Sequence, residues 1–235
     1  AARLAVAAAS GASPSTSATF DAAVAMARAA GTVAVTQSGE RQSGRDESSG
    51  WVWRSAYALE ATLLAQPNVC WPKQRVLELG SGTGWLALRL AQLGARVTAT
   101  DKEGVLMLML RNVQRNQQRF ATSSADGTDV LRVECVGLEW EEAGGAAEEL
   151  QLDCGPYDWV VGSDLLYLND LHAPLLRVLG AQLRGGRDEP GGGRVAPRAI
   201  LAFEERTPEG ASNEAHFWRE VSAAGLECRR LELGP

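Results

Sequence analysis

The 235-residue chain has only two histidines, His172 and His216, and four cysteines, Cys70, Cys135, Cys154 and Cys228, none of them in a Cys-x-x-Cys pair. That inventory is too thin for a zinc site or a Cys–His nucleophilic pair, and the scattered thiols read as buried cysteines of a reducing compartment. Lysine is nearly absent, at Lys73 and Lys102 alone, and the arginines form no basic cluster. With a net charge of −6, such a chain is poorly suited to follow a phosphate backbone, so nucleic-acid binding is disfavoured and a basic protein partner fits better. No apolar run reaches bilayer length, so a soluble protein is expected. Metal, membrane and nucleic acid are therefore outside the expected chemistry.

What the sequence does hold is concentrated in residues 75–84, RVLELGSGTG. Arg75 to Leu79 is a short apolar β-run. Gly80, Gly82 and Gly84 follow at alternate positions around Ser81, and the amphipathic run WLALRLAQLG comes next. Strand, glycine turn and helix bring backbone close to a nucleotide-like cofactor. The dinucleotide fingerprint needs a third small residue at position 85 for close helix packing, and that position is Trp85. A phosphate-binding loop is excluded because no Lys-Ser or Lys-Thr follows the glycines. Glu78 points elsewhere. A carboxylate at the C-terminal end of this strand repels a pyrophosphate but suits a cation. S-adenosylmethionine carries an ammonium and a sulfonium and no phosphate. Residues 95–101, ARVTATD, read as the next strand, ending in Asp101. A carboxylate there either accepts hydrogen bonds from ribose hydroxyls or caps the helix that follows.

Along the chain, residues 1–30 read as an Ala/Ser-rich arm, flexible or resembling a transit segment over residues 1–19, and residues 31–235 as one domain. A short helix over 20–30 and a short strand over 31–37 are expected, then a helix over 51–66. Strands at 75–80, 95–100, 130–137, 157–163, 198–204 and 226–233 alternate with helices at 83–93, 104–117, 170–184 and 213–224. This pattern predicts an α/β fold with a Rossmann-like, doubly wound, mostly parallel sheet. Residues 141–151 and 185–197 read as surface insertions.

Residues 157–168, YDWVVGSDLLYL, place Asp164 and Tyr167 just after the fourth strand, across the crevice from the glycine turn. A carboxylate there can orient a cationic amine, and a tyrosine can meet it through its ring or hydroxyl; the bland alternatives are a cap and a core side chain. Together VWRSAYALEATLL, VLELGSGTGWLALRLAQLGARVTATD, LEW at 138–140 and DWVVGSDLLY resemble the seven-β-strand, class I protein-lysine methyltransferases of methyltransferase family 16. The resemblance spans roughly residues 31–233. It implies S-adenosylmethionine as cofactor, held by Trp53, Glu78, Gly80, Ser81, Gly82, Gly84, Asp101, Trp140 and Ser163, with Asp164 and Tyr167 on the substrate side. The string FEER at 203–206 resembles a further substrate-side segment. Members of the family finish with a β-hairpin, whereas one candidate strand precedes Pro235 here, so either the last antiparallel strand is missing or the sheet ends differently. The implied activity is methyl transfer to a lysine of a protein substrate by a monomeric enzyme. The cytoplasm is the expected location, or a chloroplast or other organelle if residues 1–19 are a transit remnant. A small-molecule or other side-chain acceptor, and a non-catalytic S-adenosylmethionine-binding domain, are the competing readings.

Overall fold

The computed structural model describes residues 3–9, 33–37, 50–123, 130–141, 154–188, 192, 194–204 and 208–231. Nine strands, β1 (Arg3–Ala9), β2 (Arg75–Leu79), β3 (Arg96–Asp101), β4 (Arg132–Gly137), β5 (Trp159–Ser163), β6 (Arg187–Asp188), β7 (Arg194–Val195), β8 (Arg198–Glu204) and β9 (Glu227–Leu231), are found among them. The helices are α1 (Arg54–Leu64), α2 (Trp85–Gln92), α3 (Glu103–Ser123), α4 (His172–Arg184) and α5 (Pro208–Ala223).

Seven strands form one sheet in the order β4-β3-β2-β5-β8-β1-β9, and every pairing in it is parallel. Strands β2 and β5 are buried along almost their whole length, as a parallel sheet covered on both faces requires. One face packs Leu59, Leu88, Met109 and Trp159 beneath α1, α2 and α3. The other packs Leu79, Val160, Leu179 and Phe217 beneath α4 and α5. From β2 the chain winds outward through β3 to β4, then returns to place β5 on the other side of β2. That reversal opens a crevice at the C-terminal ends of β2 and β5, the usual ligand position in such sheets.

Two expectations change, for residues 3–9 and 33–37. Residues 3–9, assigned by the sequence to an arm outside the domain, form strand β1 between β8 and β9. The run of small apolar residues there reads as low complexity until strands on both sides supply ladder partners. The main sheet contains no antiparallel strand among the described residues; β1 holds the place between β8 and β9 and runs parallel to both. Residues 33–37 form no strand and belong to no sheet. The Asn112 side chain accepts from Thr36 N–H at 2.8 Å and donates to Thr36 carbonyl at 3.1 Å. One helical turn on, Asn116 makes the same pair of bonds with Ala34, at 3.2 and 2.8 Å. Two helix positions four apart thus match two segment positions two apart, and side-chain amides replace a neighbouring strand. The expected helix over 20–30 lies outside the described residues, as does most of the 141–151 insertion. Within 185–197, β6 and β7 pair as an antiparallel ribbon.

Helix α3 runs past the expected 117 to Ser123, because Phe120 still packs on the core beyond the polar stretch at 117–119. Helix α5 starts five residues early at Pro208, where proline's fixed φ suits a first turn. Among the described residues no helix is long and apolar enough to cross a membrane.

Helices α1 and α2 share a buried ion pair. Arg89 Nε lies 2.6 Å from Glu60 Oε1, with the two side chains 11% and 1% exposed. Burial raises the Glu60 pKa, with Arg89 opposing it, and Glu60 Oε2 has no hydrogen-bond partner. Removing the guanidinium by Arg89→Met is expected to cost about 3–5 kcal/mol, since a buried carboxylate is left uncompensated. Thermal unfolding should show a midpoint fall of roughly 10 °C, largely recovered in the Arg89→Met/Glu60→Gln double variant. A fall of the same size in the double variant would contradict this account.

Candidate active site

The crevice between the ends of β2 and β5 holds a cavity of about 230 Å³. Trp53, Glu78, Gly80, Ser81, Gly82, Asp101, Trp140, Ser163, Asp164 and Tyr167 all line it, although they come from five separate stretches of the chain. Gly84 does not line it. With φ at +75° it is the N-cap of α2, and a Cβ there would come within 3.1 Å of Met109 Cγ, so its place in the turn serves helix packing. Trp85, which argued against a dinucleotide, opens α2 and packs edge-on to Tyr57 with ring centroids 4.4 Å apart.

The glycine loop is sewn to the neighbouring strand. Ser81 N–H donates to the Thr100 carbonyl at 2.9 Å, and Gly82 N–H donates to Asp101 Oδ2 at 2.7 Å. The other Asp101 oxygen accepts from Lys102 N–H at 2.8 Å. Asp101 therefore fixes the loop that it faces, and the first turn of α3 takes its acceptor elsewhere: Glu103 N–H donates to Glu139 Oε1 at 3.2 Å. Asn112 reaches the same loop, donating to the Thr83 carbonyl at 3.0 Å while holding Thr36. Trp51 and Glu139, which line the cavity, and Asn112, which braces its loop, are residues that sequence reasoning passed over. The spacing of Asn112 and Asn116 on an otherwise apolar helix face was the available signal.

Gly80 sits at φ +63°, and a Cβ on it would come within 2.5 Å of Leu165 Cδ2. The loop can lie this close to the Asp164–Tyr167 segment only without a side chain. Asp164 itself has φ +59°, a backbone region uncommon for residues other than glycine and clustered at functional sites. Its N–H donates to the Ala202 carbonyl of β8 at 2.7 Å. At the end of β8, Glu204 of the FEER string pairs with Arg54 of α1 at 2.9 Å; residues 205–206 lie outside the described residues. Tyr167, 44% exposed, stands at the mouth.

Electrostatically the cavity is made for a cation. Glu78, Asp101, Glu139, Glu141 and Asp164 line it, against Lys102 as the single basic lining residue among those described. Glu78 is 2% exposed and its Oε2 has no hydrogen-bond partner. Burial pushes its pKa up from 4.5 to about 8, and burial also raises that of Asp101. A buried carboxylate with one unpartnered oxygen and a pKa raised by burial fits the ammonium and sulfonium of S-adenosylmethionine. The sign follows directly. In the unfolded chain Glu78 ionises near 4.5 and in the empty folded protein near 8, so folding stability falls as pH rises between those values. A bound cation favours the carboxylate and expels its proton. Calorimetric binding of S-adenosylmethionine at pH 6.5, repeated in buffers of different ionisation enthalpy, should register release of close to one proton (about 1) that Glu78→Gln abolishes. Equal proton release by both proteins would disprove it.

Comparison with known proteins bears on these observations. The chain is 33% identical to the protein N-lysine methyltransferase METTL21A of Danio rerio over 129 residues, 54% of this chain and 52% of the relative. It is also 33% identical to EEF1A lysine methyltransferase 3 of Xenopus tropicalis over 106 residues, 45% of this chain and 40% of that one. The chain thus spans about half the length, or less, of these curated relatives. A magnesium protoporphyrin IX methyltransferase from Synechocystis PCC 6803, solved with bound SAH, aligns over 80% of this chain and 79% of its own at 19% identity, with a TM-score of 0.47. A family model described as lysine methyltransferase matches residues 38–189, most of the glycine loop, crevice and acceptor-side segment built above, and the chain belongs to that family.

Proposed function

We propose that this chain transfers a methyl group from S-adenosylmethionine to the side-chain amine of a lysine in a protein substrate. The observation that carries the reading is the meeting of two dissimilar walls across one cavity. The Gly80–Gly82 loop with buried Glu78 forms one wall, and Asp164 with Tyr167 forms the other. Membership of the lysine methyltransferase family and the names of both curated relatives support a protein lysine as acceptor.

Bound S-adenosylmethionine supplies an electrophilic sulfonium methyl. The residues of this chain bind, orient and desolvate. Glu78 would answer the cofactor's positive charge, Asp101, which holds Gly82, would accept from its ribose hydroxyls, and Trp53 and Trp140 would offer aromatic faces. A free lysine, with a pKa of about 10.4, must lose its proton before it can attack. Desolvation in the crevice lowers that pKa, and a neighbouring positive charge lowers it further. Asp164 favours the protonated form, so its part is to draw the amine in and aim it. Alignment of the reacting atoms then supplies most of the acceleration. Tyr167 at the mouth places the aromatic face where a long side chain must pass.

Incubating the protein with methyl-labelled S-adenosylmethionine and a heat-treated cell extract tests this. Label in discrete protein bands, located on lysine by mass spectrometry, is expected. Label confined to the small-molecule fraction would sink the protein-lysine reading and leave a small-molecule acceptor.

A further inference from the structure

The helix after β8 grips the acceptor-side loop at two adjacent carbonyls. Asn213 Nδ2 on α5 donates to the Tyr167 carbonyl at 2.9 Å. One residue earlier, the Leu166 carbonyl lies 3.2 Å from His172 Nε2, and His172 Nδ1 lies 2.9 Å from Nδ1 of His216. His216 is three residues beyond Asn213, on the same face of α5.

The protons on this chain are fixed by its ends. A carbonyl only accepts, so His172 Nε2 carries the hydrogen and its Nδ1 presents a lone pair. The hydrogen between the rings then belongs to His216 Nδ1. A further proton on His216 Nε2 leaves this bond intact and faces Glu220 Oε1 at 4.0 Å. A further proton on His172 would set two N–H groups against each other. His172 is fully buried, beneath the edge of Phe217 at 5.5 Å. Its pKa lies below the ordinary imidazole value through burial first, then His216, with the Leu166 carbonyl, Glu220 and Asp170 opposing. The pair is thus neutral at His172 near neutral pH, and the relay from α5 to Leu166 is closed.

We infer that Asn213 and His216, the latter acting through His172, are positioning residues for the methyl acceptor. By holding the carbonyls of Leu166 and Tyr167 they keep Asp164 and Tyr167 where the acceptor amine must sit. The loop needs holding because Asp164 lies at φ +59°, from which an unrestrained segment relaxes. The Ala202 carbonyl secures its start and α5 its far end. Glu78, Asp101 and the glycine loop are anchored instead to β3 and α3, so loss of the α5 grip should separate acceptor handling from cofactor binding. This inference rests on the lysine-methyltransferase reading of the same site.

The test compares wild type with Asn213→Ala, His216→Leu and His216→Asn. Asparagine places its amide donor near the position of imidazole Nδ1, so His216→Asn retains the bond. Three readouts are taken: amide hydrogen exchange over residues 164–171, S-adenosylhomocysteine affinity by calorimetry, and initial rates of label transfer to protein in an extract. For Asn213→Ala and His216→Leu, exchange should rise and transfer should slow about tenfold, the measure of one hydrogen bond, with affinity changed by less than about twofold. His216→Asn should recover most of both. Unchanged exchange over 164–171, or parallel losses of transfer and cofactor affinity, would overturn the assignment. If wild type itself labels no protein, the functional reading fails, and exchange over 164–171 alone decides whether α5 holds the loop.

Discussion

Gly80→Ala is expected to weaken S-adenosylhomocysteine binding by roughly a hundredfold while leaving the protein folded. Two costs combine. A left-handed backbone conformation costs an L-residue about 1–2 kcal/mol, and Gly80 has φ +63°. The new Cβ would also come within 2.5 Å of Leu165 Cδ2. Ordinarily the tip of a leucine could turn aside. Here it is wedged: a Cβ on Gly162 would meet the other methyl of Leu165 at the same 2.5 Å, and Leu165 is 5% exposed. The loop must therefore shift away from the cavity, and overpacking of this kind costs about 1–3 kcal/mol. Summed, the two costs approach the ~2.7 kcal/mol that a hundredfold loss represents. Calorimetric titration checks this, with far-ultraviolet circular dichroism confirming the fold. Affinity within about threefold of wild type would mean that the Gly80–Leu165 contact yields freely, and the steric argument would be wrong.

The second large effect is expected at Asp164. Asp164→Asn should lower methyl transfer by roughly a hundredfold, the scale of losing a charge-assisted contact at a desolvated site. Cofactor affinity should stay within about twofold. Asparagine is the informative substitution because, like aspartate, it tolerates a left-handed backbone, so the loop keeps its course and only the charge is lost. Asp164→Ala removes the charge and also burdens the backbone at φ +59°, and should transfer more slowly still. Retained activity in Asp164→Ala with normal cofactor binding would remove Asp164 from the acceptor's path. The two Asp164 variants and Gly80→Ala also bracket the site. Gly80→Ala is read on the cofactor side and Asp164→Asn on the acceptor side, and a protein in which each moved both readouts equally would not have the two-walled cavity described here.

The elements nearest the site were the most legible in the sequence. RVLELGSGTG and ARVTATD each carry local information: strand residues, glycines and a terminal carboxylate within a few positions. Observed β2 and β3 match them within a residue. Legibility fell where partners are distant. Residues 3–9 look like an alanine-rich arm because nothing nearby says that a slot lies open between β8 and β9. The segment 31–37, GTVAVTQ, reads as a strand from its β-branched residues, yet what satisfies residues 34 and 36 is a pair of asparagines about eighty positions away.

The sequence by itself determined the fold class, most of the residues that meet around the crevice, and the acidic character of its lining. These depend on short-range pattern: a glycine turn that refuses a dinucleotide through Trp85, and a carboxylate where a phosphate would be repelled. Tertiary structure alone decided the rest. It buried Glu78 until it holds a proton, wedged Leu165 between two glycines, turned Asp101 into an anchor for Gly82, and brought His216 and Asn213 onto the carbonyls of the acceptor-side loop. Each of these depends on desolvation, steric exclusion or hydrogen-bond geometry between residues far apart in the chain. None of those quantities exists until the sheet is assembled.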